Sequence, residues 1–269
     1  MMLFRKGHAT GNDFVIVDDH HGAMELTPER VARLCDRHRG IGGDGVLRVV
    51  RAGSVPEVEA DPTLWFMDYR NADGSVAEMC GNGLRLFARH LMEQGLVGEE
   101  EFEVATRAGL KRVKELQDGR LVTDLGQIQV FETTVTIRHD GQEFEGHGVD
   151  VGNPHAVCFV TAEELAALNL GEGPRWEPEE IFPEGVNVEF IHVVQPGQLR
   201  MRVFERGSGE TLSCGTGVVA AAAVHRRLSG HDAPIQVNVP GGDLVVSFEE
   251  GHAWLSGPAQ IVAEGEFRF

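Results

Sequence analysis

The chain has 269 residues, 42% of them hydrophobic and 25% charged, which suits a folded globular protein with ample core and room for one large domain or two moderate ones. Its 24 Lys and Arg against 42 Asp and Glu leave a net charge of −18, which argues against nucleic acid or an anionic membrane as a partner. No run approaches the ~20 apolar residues of a membrane span, Met-Met-Leu-Phe-Arg-Lys-Gly-His reads as no secretory signal, and four cysteines make no disulfide scaffold in a chain this long, so a cytoplasmic setting is expected.

In chain order, alternation predicts strands over 3–10 and 13–18, joined at Gly11-Asn12. Thr27-Pro28 opens a helix, with threonine as cap and proline in the first turn. Val31, Leu34, Cys35 and His38 share its buried face at helical spacing, which makes Cys35 a core residue. The run GIGGDG from Gly40 to Gly45 matches the dinucleotide fingerprint, but a helix precedes it and a strand over 46–51 follows, the reverse of the required order; it is a helix-to-strand turn. A strand over 63–69 places Leu64 and Phe66 on one face and Trp65 and Met67 on the other. The loop Asn71-Ala72-Asp73-Gly74 imitates a calcium loop, yet positions one and twelve fall on Tyr69 and Cys80, neither of them a carboxylate.

A helix follows over 82–94, ended by Gly95, with Leu84, Phe87, Ala88 and Leu91 toward a core. Short strands then run over 102–106, 110–116, 120–125, 133–139, 142–151 and 155–160, the last placing Cys158 in the core between Val157 and Phe159. Thr161 to Glu164 reads as a capping box. Strands over 186–194 and 199–205 lead to a helix over 216–228 that ends near Gly230. Its VVAAAAV run is apolar nearly all round and predicts burial on most faces. Strands over 235–239, 244–248, 252–255 and 260–269 complete the chain.

Two stretches stand out. Arg70 to Arg85 holds Cys80 in Cys-Gly-Asn-Gly, and Glu205 to Gly217 holds Cys214 in Cys-Gly-Thr-Gly, each at a helix start. Glycines there permit a sharp turn and a close approach to a ligand. The unpaired N–H groups and partial positive charge of a helix N-terminus attract a carboxylate and favour a thiolate. Further landmarks recur in the same order: Gly11-Asn12 and Gly152-Asn153 before a strand, then Gly45-Val46 and Gly185-Val186 opening one. Such repetition argues for duplication, with two domains that are each a strongly curved sheet around one buried helix. Residues 1–115 would form the domain of Cys80 and 116–257 that of Cys214.

Three chemistries suit two cysteines. Metal binding lacks C-x-x-C and His-x-x-x-His spacings, and a dithiol switch needs no matched helix starts or asparagines. Two-base proton transfer fits best: a thiolate takes a proton from one face of a stereocentre while a thiol returns one to the other, in a coupled titration. Helix N-termini aimed at the adjacent carboxylate would stabilise the charge that develops on it.

GNDFVIVD, RNADGS with CGNG, GNPHAV, PEGVN and ERGSGET with CGTG together resemble the diaminopimelate epimerase family, in order along almost the whole chain. The resemblance implies an α+β fold of two pseudo-symmetric domains of mostly antiparallel sheet, with a C-terminal strand over 258–269 returning to the first. It implies cofactor-free and metal-free interconversion of LL- and meso-diaminopimelate, for lysine and peptidoglycan precursors, by a cytoplasmic homodimer whose partner is this small-molecule substrate. Cys80 and Cys214 would be base and acid, and Asn12, Asn71, Asn153, Asn187, Glu205 and Arg206 would hold the substrate. The Gly81-Asn82 and Gly215-Thr216 backbones would hold the reacting carboxylate, and His155 and Glu205 would influence the thiols. Many members carry glutamine where this chain has Gly45, which removes a side-chain contact there. Two alternatives stay open: a proline racemase-like enzyme, whose first motif is usually Cys-Gly-His-Gly where Asn82 stands here, and a non-catalytic dithiol redox or binding protein.

Overall fold

The structure is a computed structural model that describes residues 1–98 and 101–269. In chain order its elements are β1 (Met2–Ala9), β2 (Asn12–Asp18), α1 (Pro28–Cys35), β3 (Gly45–Arg51), β4 (Trp65–Asn71), α2 (Gly81–Glu93), β5 (Phe102–Thr106), β6 (Gly109–Glu115), β7 (Leu121–Gln127), β8 (Gln129–His139), β9 (Gln142–Asp150), β10 (Pro154–Phe159), α3 (Ala162–Ala167), β11 (Arg175–Glu177), β12 (Asn187–Gln195), β13 (Gln198–Glu205), β14 (Gly209–Thr211), α4 (Gly215–Ser229), β15 (Ile235–Val239), β16 (Gly242–Glu249), β17 (His252–Gly257) and β18 (Gln260–Phe267). Two compact units result: Met1–Asp124 with Gly257–Phe269, and Leu125–Ser256.

In the first unit β18, β1 and β2 pair antiparallel, β2 and β3 parallel, β3 and β4 antiparallel, β4 and β5 parallel, and β5, β6 and β7 antiparallel. The second unit repeats this. β8, β9 and β10 pair antiparallel, β10 and β12 parallel, β12 and β13 antiparallel, β13 and β15 parallel, and β15, β16 and β17 antiparallel. Each parallel step needs a crossover. Helices α1 and α2 serve the first unit, α3 and α4 the second, at matching places. The hairpin turn that leads into the first parallel pair of each repeat, β1–β2 and β9–β10, is also matched, with Gly11 at φ +83° and Gly152 at +89°, a region that favours glycine.

Both faces of the first sheet are buried because its strands are apolar on both sides. Phe14, Ile16, Leu47, Val49, Trp65 and Met67 pack with Leu84, Leu86, Phe87 and Leu91 of α2, while Val15, Val17 and Val46 pack with Val31 and Leu34 of α1. Burial of such a side chain contributes about 1.5–3 kcal/mol. In the second unit α4 is buried from Gly217 to His225, as its all-apolar run requires. Cys35 and Cys158 lie in the two cores; burial pushes the Cys35 thiol up to about 11 and the Cys158 thiol higher still.

One expectation fails. His38 does not share the buried face of α1, because the helix ends at Cys35 and His38 is exposed. The Asp36 carboxylate accepts from the His38 and Arg39 amides and turns the chain away.

Candidate active site

In the first unit Cys80 is the N-cap of α2, and its sulfur accepts from the Gly83 amide at 3.4 Å. The Cys80 thiol and the Asn82 amide both point at Asn12 Oδ1, at 3.6 and 3.3 Å. Asn12 in turn donates to Asp44 at 2.7 Å. Behind them, fully buried Arg85 donates to Asn82 Oδ1 at 2.7 Å, to Thr10 Oγ1 at 3.4 Å and to the Gly81 carbonyl at 3.5 Å. Arg85 thereby fixes the Asn82 amide with its oxygen inward and its nitrogen toward Asn12. Asn71 lies apart from this chain, its side chain donating to Ser75 Oγ at 3.0 Å within its own turn. A Cβ at Gly45 would stand 2.4 Å from the Arg70 carbonyl, so a larger residue could enter that position only with a shift of β4.

In the second unit Cys214 is the N-cap of α4 and accepts from the Gly217 amide at 3.4 Å, with Thr216 Oγ1 at 3.5 Å. Here the surroundings are acidic. Burial pushes the Cys214 thiol well above its usual range, and the Glu205 and Glu189 carboxylates push it further. Burial likewise raises the Glu205 carboxyl, against hydrogen bonds from Thr211 and Cys214. Completely buried His155 is held between two acceptors, Glu189 Oε1 at 2.7 Å from Nδ1 and Asn153 Oδ1 at 3.0 Å from Nε2. Asn187 ties the strands together, donating to the Pro154 carbonyl at 3.0 Å and accepting the Arg206 amide at 2.9 Å. The exposed Arg206 guanidinium donates only to the Glu184 carbonyl, at 3.1 Å, among the described residues.

Each unit therefore gathers many of its expected residues near its own cysteine: Asn12, Gly81 and Asn82 in the first, and His155, Glu205, Gly215 and Thr216 in the second, with Asn153 and Asn187 bonded to that cluster's strands and Arg206 turned toward Glu184. Arg85 and Glu189 were not among the expected site residues. The signal for both was a charge inside an apolar run, Leu84-Arg85-Leu86 and Val188-Glu189-Phe190, where a charged residue is almost never fully buried without a special partner.

Solved structures give the fold class. The chain is similar over 100% of its length to a phenazine biosynthesis protein of the PhzF family from Bacillus anthracis, with a TM-score of 0.70, 17% identity and 99% of that chain covered. It is similar over the same share to a probable proline racemase from Agrobacterium radiobacter K84, with a TM-score of 0.69, 15% identity and 93% of that chain covered. This is the α+β fold of the PhzF- and proline racemase-like proteins. Sequence similarity narrows it. The family model described as diaminopimelate epimerase matches residues 4–131 and 148–262. The diaminopimelate epimerase of Thermobifida fusca (strain YX) is 51% identical over 273 residues, which covers 99% of this chain and 98% of that protein. The chain belongs to the diaminopimelate epimerase family and is an isomerase.

Proposed function

We propose that this protein interconverts LL- and meso-2,6-diaminopimelate without a cofactor, with Cys80 and Cys214 as the two acid–base groups. The observation that carries this reading is the paired placement of the cysteines: each caps a buried helix, and the third residue of that helix donates its amide to the sulfur at 3.4 Å. Seen from the LL isomer, the Cys80 thiolate takes the Cα proton and becomes a thiol. The Cα carbanion then takes the Cys214 proton on its other face, which leaves Cys214 as thiolate; the meso isomer reverses the roles. The carbanion spreads its charge onto the neighbouring carboxylate, and the first-turn amides at Gly81-Asn82 and Gly215-Thr216 are the donors suited to receive it.

Asn12, Asn71, Asn153, Asn187 and Glu205 are assigned to the polar groups of the substrate. Arg206 is assigned to its distant carboxylate, in keeping with the N–H groups its guanidinium has to spare. His155 and Glu205 act on the thiols. The family resemblance further supports a cytoplasmic homodimer, which light scattering would test.

Reduced protein incubated with LL-diaminopimelate in deuterated water should yield the meso isomer with one α-deuterium, followed by NMR, and should leave L-proline unlabelled. No exchange from diaminopimelate, or faster exchange from proline, defeats the proposal.

A further inference from the structure

The Arg85 side chain is completely buried, and among the described residues no carboxylate pairs with it. Its three hydrogen bonds go to neutral oxygens, and its Nε has no acceptor. A buried charge without a counter-charge is expensive. Burial lowers Arg85 to about 10, so it remains a cation at neutral pH, and the one group whose negative charge would favour it is the Cys80 sulfur. At the equivalent place after Cys214, five residues on, stands buried Val219.

We propose that Arg85 is a positioning residue of the first half-site, a buried counter-charge that favours Cys80 as thiolate and orients Asn82 and, through it, Asn12. This deepens the reading of Cys80 as a base and rests on it. The guanidinium is fully buried and donates to the Gly81 carbonyl at the first helical residue, so its role is one of positioning. Its donation to Asn82 Oδ1 also leaves the Asn82 nitrogen to donate onward.

Other titratable groups stand on the elements packed against α2. They are His8 on β1, Asp13 on β2 with its partners Lys6 and Arg37, Asp44 reached through Asn12, Arg48 and Arg51 on β3, Asp68, Tyr69 and Arg70 on β4, and Glu264, beside Arg5, and Glu266 on β18. His90 and Asp18 pair at the other end of the helix. None of these is altered by the Arg85 and Cys214 substitutions below.

The test is the pH dependence of Cys80 alkylation by iodoacetamide, read at the Cys80 peptide by mass spectrometry in full-length reduced protein with Cys214→Ala. Arg85→Gln keeps an amide donor for Asn82 and removes the charge. Its alkylation midpoint should rise by about one pH unit or more, with roughly tenfold slower alkylation at neutral pH. Arg85→Lys keeps the charge and should hold the midpoint close to that of the parent. A folded Arg85→Gln with an unmoved midpoint overturns the proposal. Should Arg85→Gln fail to fold, as judged by circular dichroism, Arg85→Lys decides alone: a rise of about one unit with the charge kept overturns the counter-charge, and an unmoved midpoint supports it. Alkylation needs no turnover. A shifted midpoint, together with a parent protein that keeps both cysteines and is inactive on diaminopimelate, would refute the proposed function and leave the role of Arg85 standing.

Discussion

Cys80 and Cys214 occupy the same place in two copies of one topology, each at the start of a helix that crosses from one parallel strand to the next. The charges buried near them differ in sign. Beside Cys80 stands the Arg85 guanidinium; beside Cys214 stand Glu205 and Glu189, with His155 locked to Glu189. The comparison teaches a division of labour: the duplicated backbone sets where a sulfur sits, and a few buried side chains set which protonation state it prefers. In a two-base reaction one group is base and the other acid in each direction, so such a difference would bias the resting pair toward one isomer while leaving both directions open.

Substituting the sulfurs should have the largest effect. Cys80→Ser and Cys214→Ser should each lower net epimerisation by roughly 10²–10⁴-fold, the usual worth of a positioned acid or base. A hydroxyl is a poor source of an anion yet still a proton donor, so each variant should keep exchange from the isomer that faces its intact cysteine. Deuterium exchange from separate LL and meso isomers measures this. A shared isomer preference, or near-normal turnover in either variant, breaks the two-base reading.

The next effect is on stability. Asp68 is fully buried but amply paired, with Arg107 at 2.8 Å, Arg70 at 2.9 Å and Arg48 at 3.3 Å. Burial opposes its ionisation, and the guanidiniums outweigh burial, so its carboxyl titrates below the usual range. Asp68→Asn should cost about 3–5 kcal/mol in urea unfolding, because it strands buried cations. A folded-state value below the unfolded one, about 3.9, means that the stabilisation is complete above that pH and is lost as pH falls through the folded value. Glu205 has the opposite sign. Its raised carboxyl costs stability as pH rises from its unfolded value of about 4.3 through the folded one. Acid unfolding of Asp68→Asn should therefore lack part of the steep loss expected of the parent below about pH 4; an unchanged profile contradicts the pairing.

The smallest effect sharpens the comparison most. Glu205→Gln removes an anion from beside Cys214 and should lower the pH midpoint of Cys214 alkylation by about one unit, opposite in sign to Arg85→Gln at Cys80. A null or upward shift would mean that the acid does not hold Cys214 protonated.

Much of this was legible in the sequence because it follows from local rules. Cys-Gly-x-Gly before a helical pattern marked both helix starts, and the recurring Gly-Asn turns marked the repeat. The burial of α4 was written in Val218 to Val224. What escaped depends on distant partners. A charge in an apolar run hints that Arg85 and Glu189 are buried, but nothing local names Thr10 or His155 as their partners, because those contacts span 75 and 34 residues. His38 was misplaced because helical periodicity carries no signal for a capping aspartate such as Asp36. The short strands β11 and β14 have only three residues each, too few for an alternation to register.

The glycine at the third helix position is held by different neighbours in the two copies. At Gly217 a methyl group would stand 2.5 Å from Glu189 Oε1, whereas at Gly83 the nearest atom is a flexible Leu47 methyl at 3.3 Å. One copy holds its glycine as clearance for an acid, and the other holds it under looser constraint. With Glu189 held by His155, a side chain at 217 has no room, while one at 83 would crowd only the end of a flexible side chain. The halves of this gene have thus ceased to be spare parts for one another: a segment transplanted from either into the other would arrive with the right backbone and the wrong neighbours.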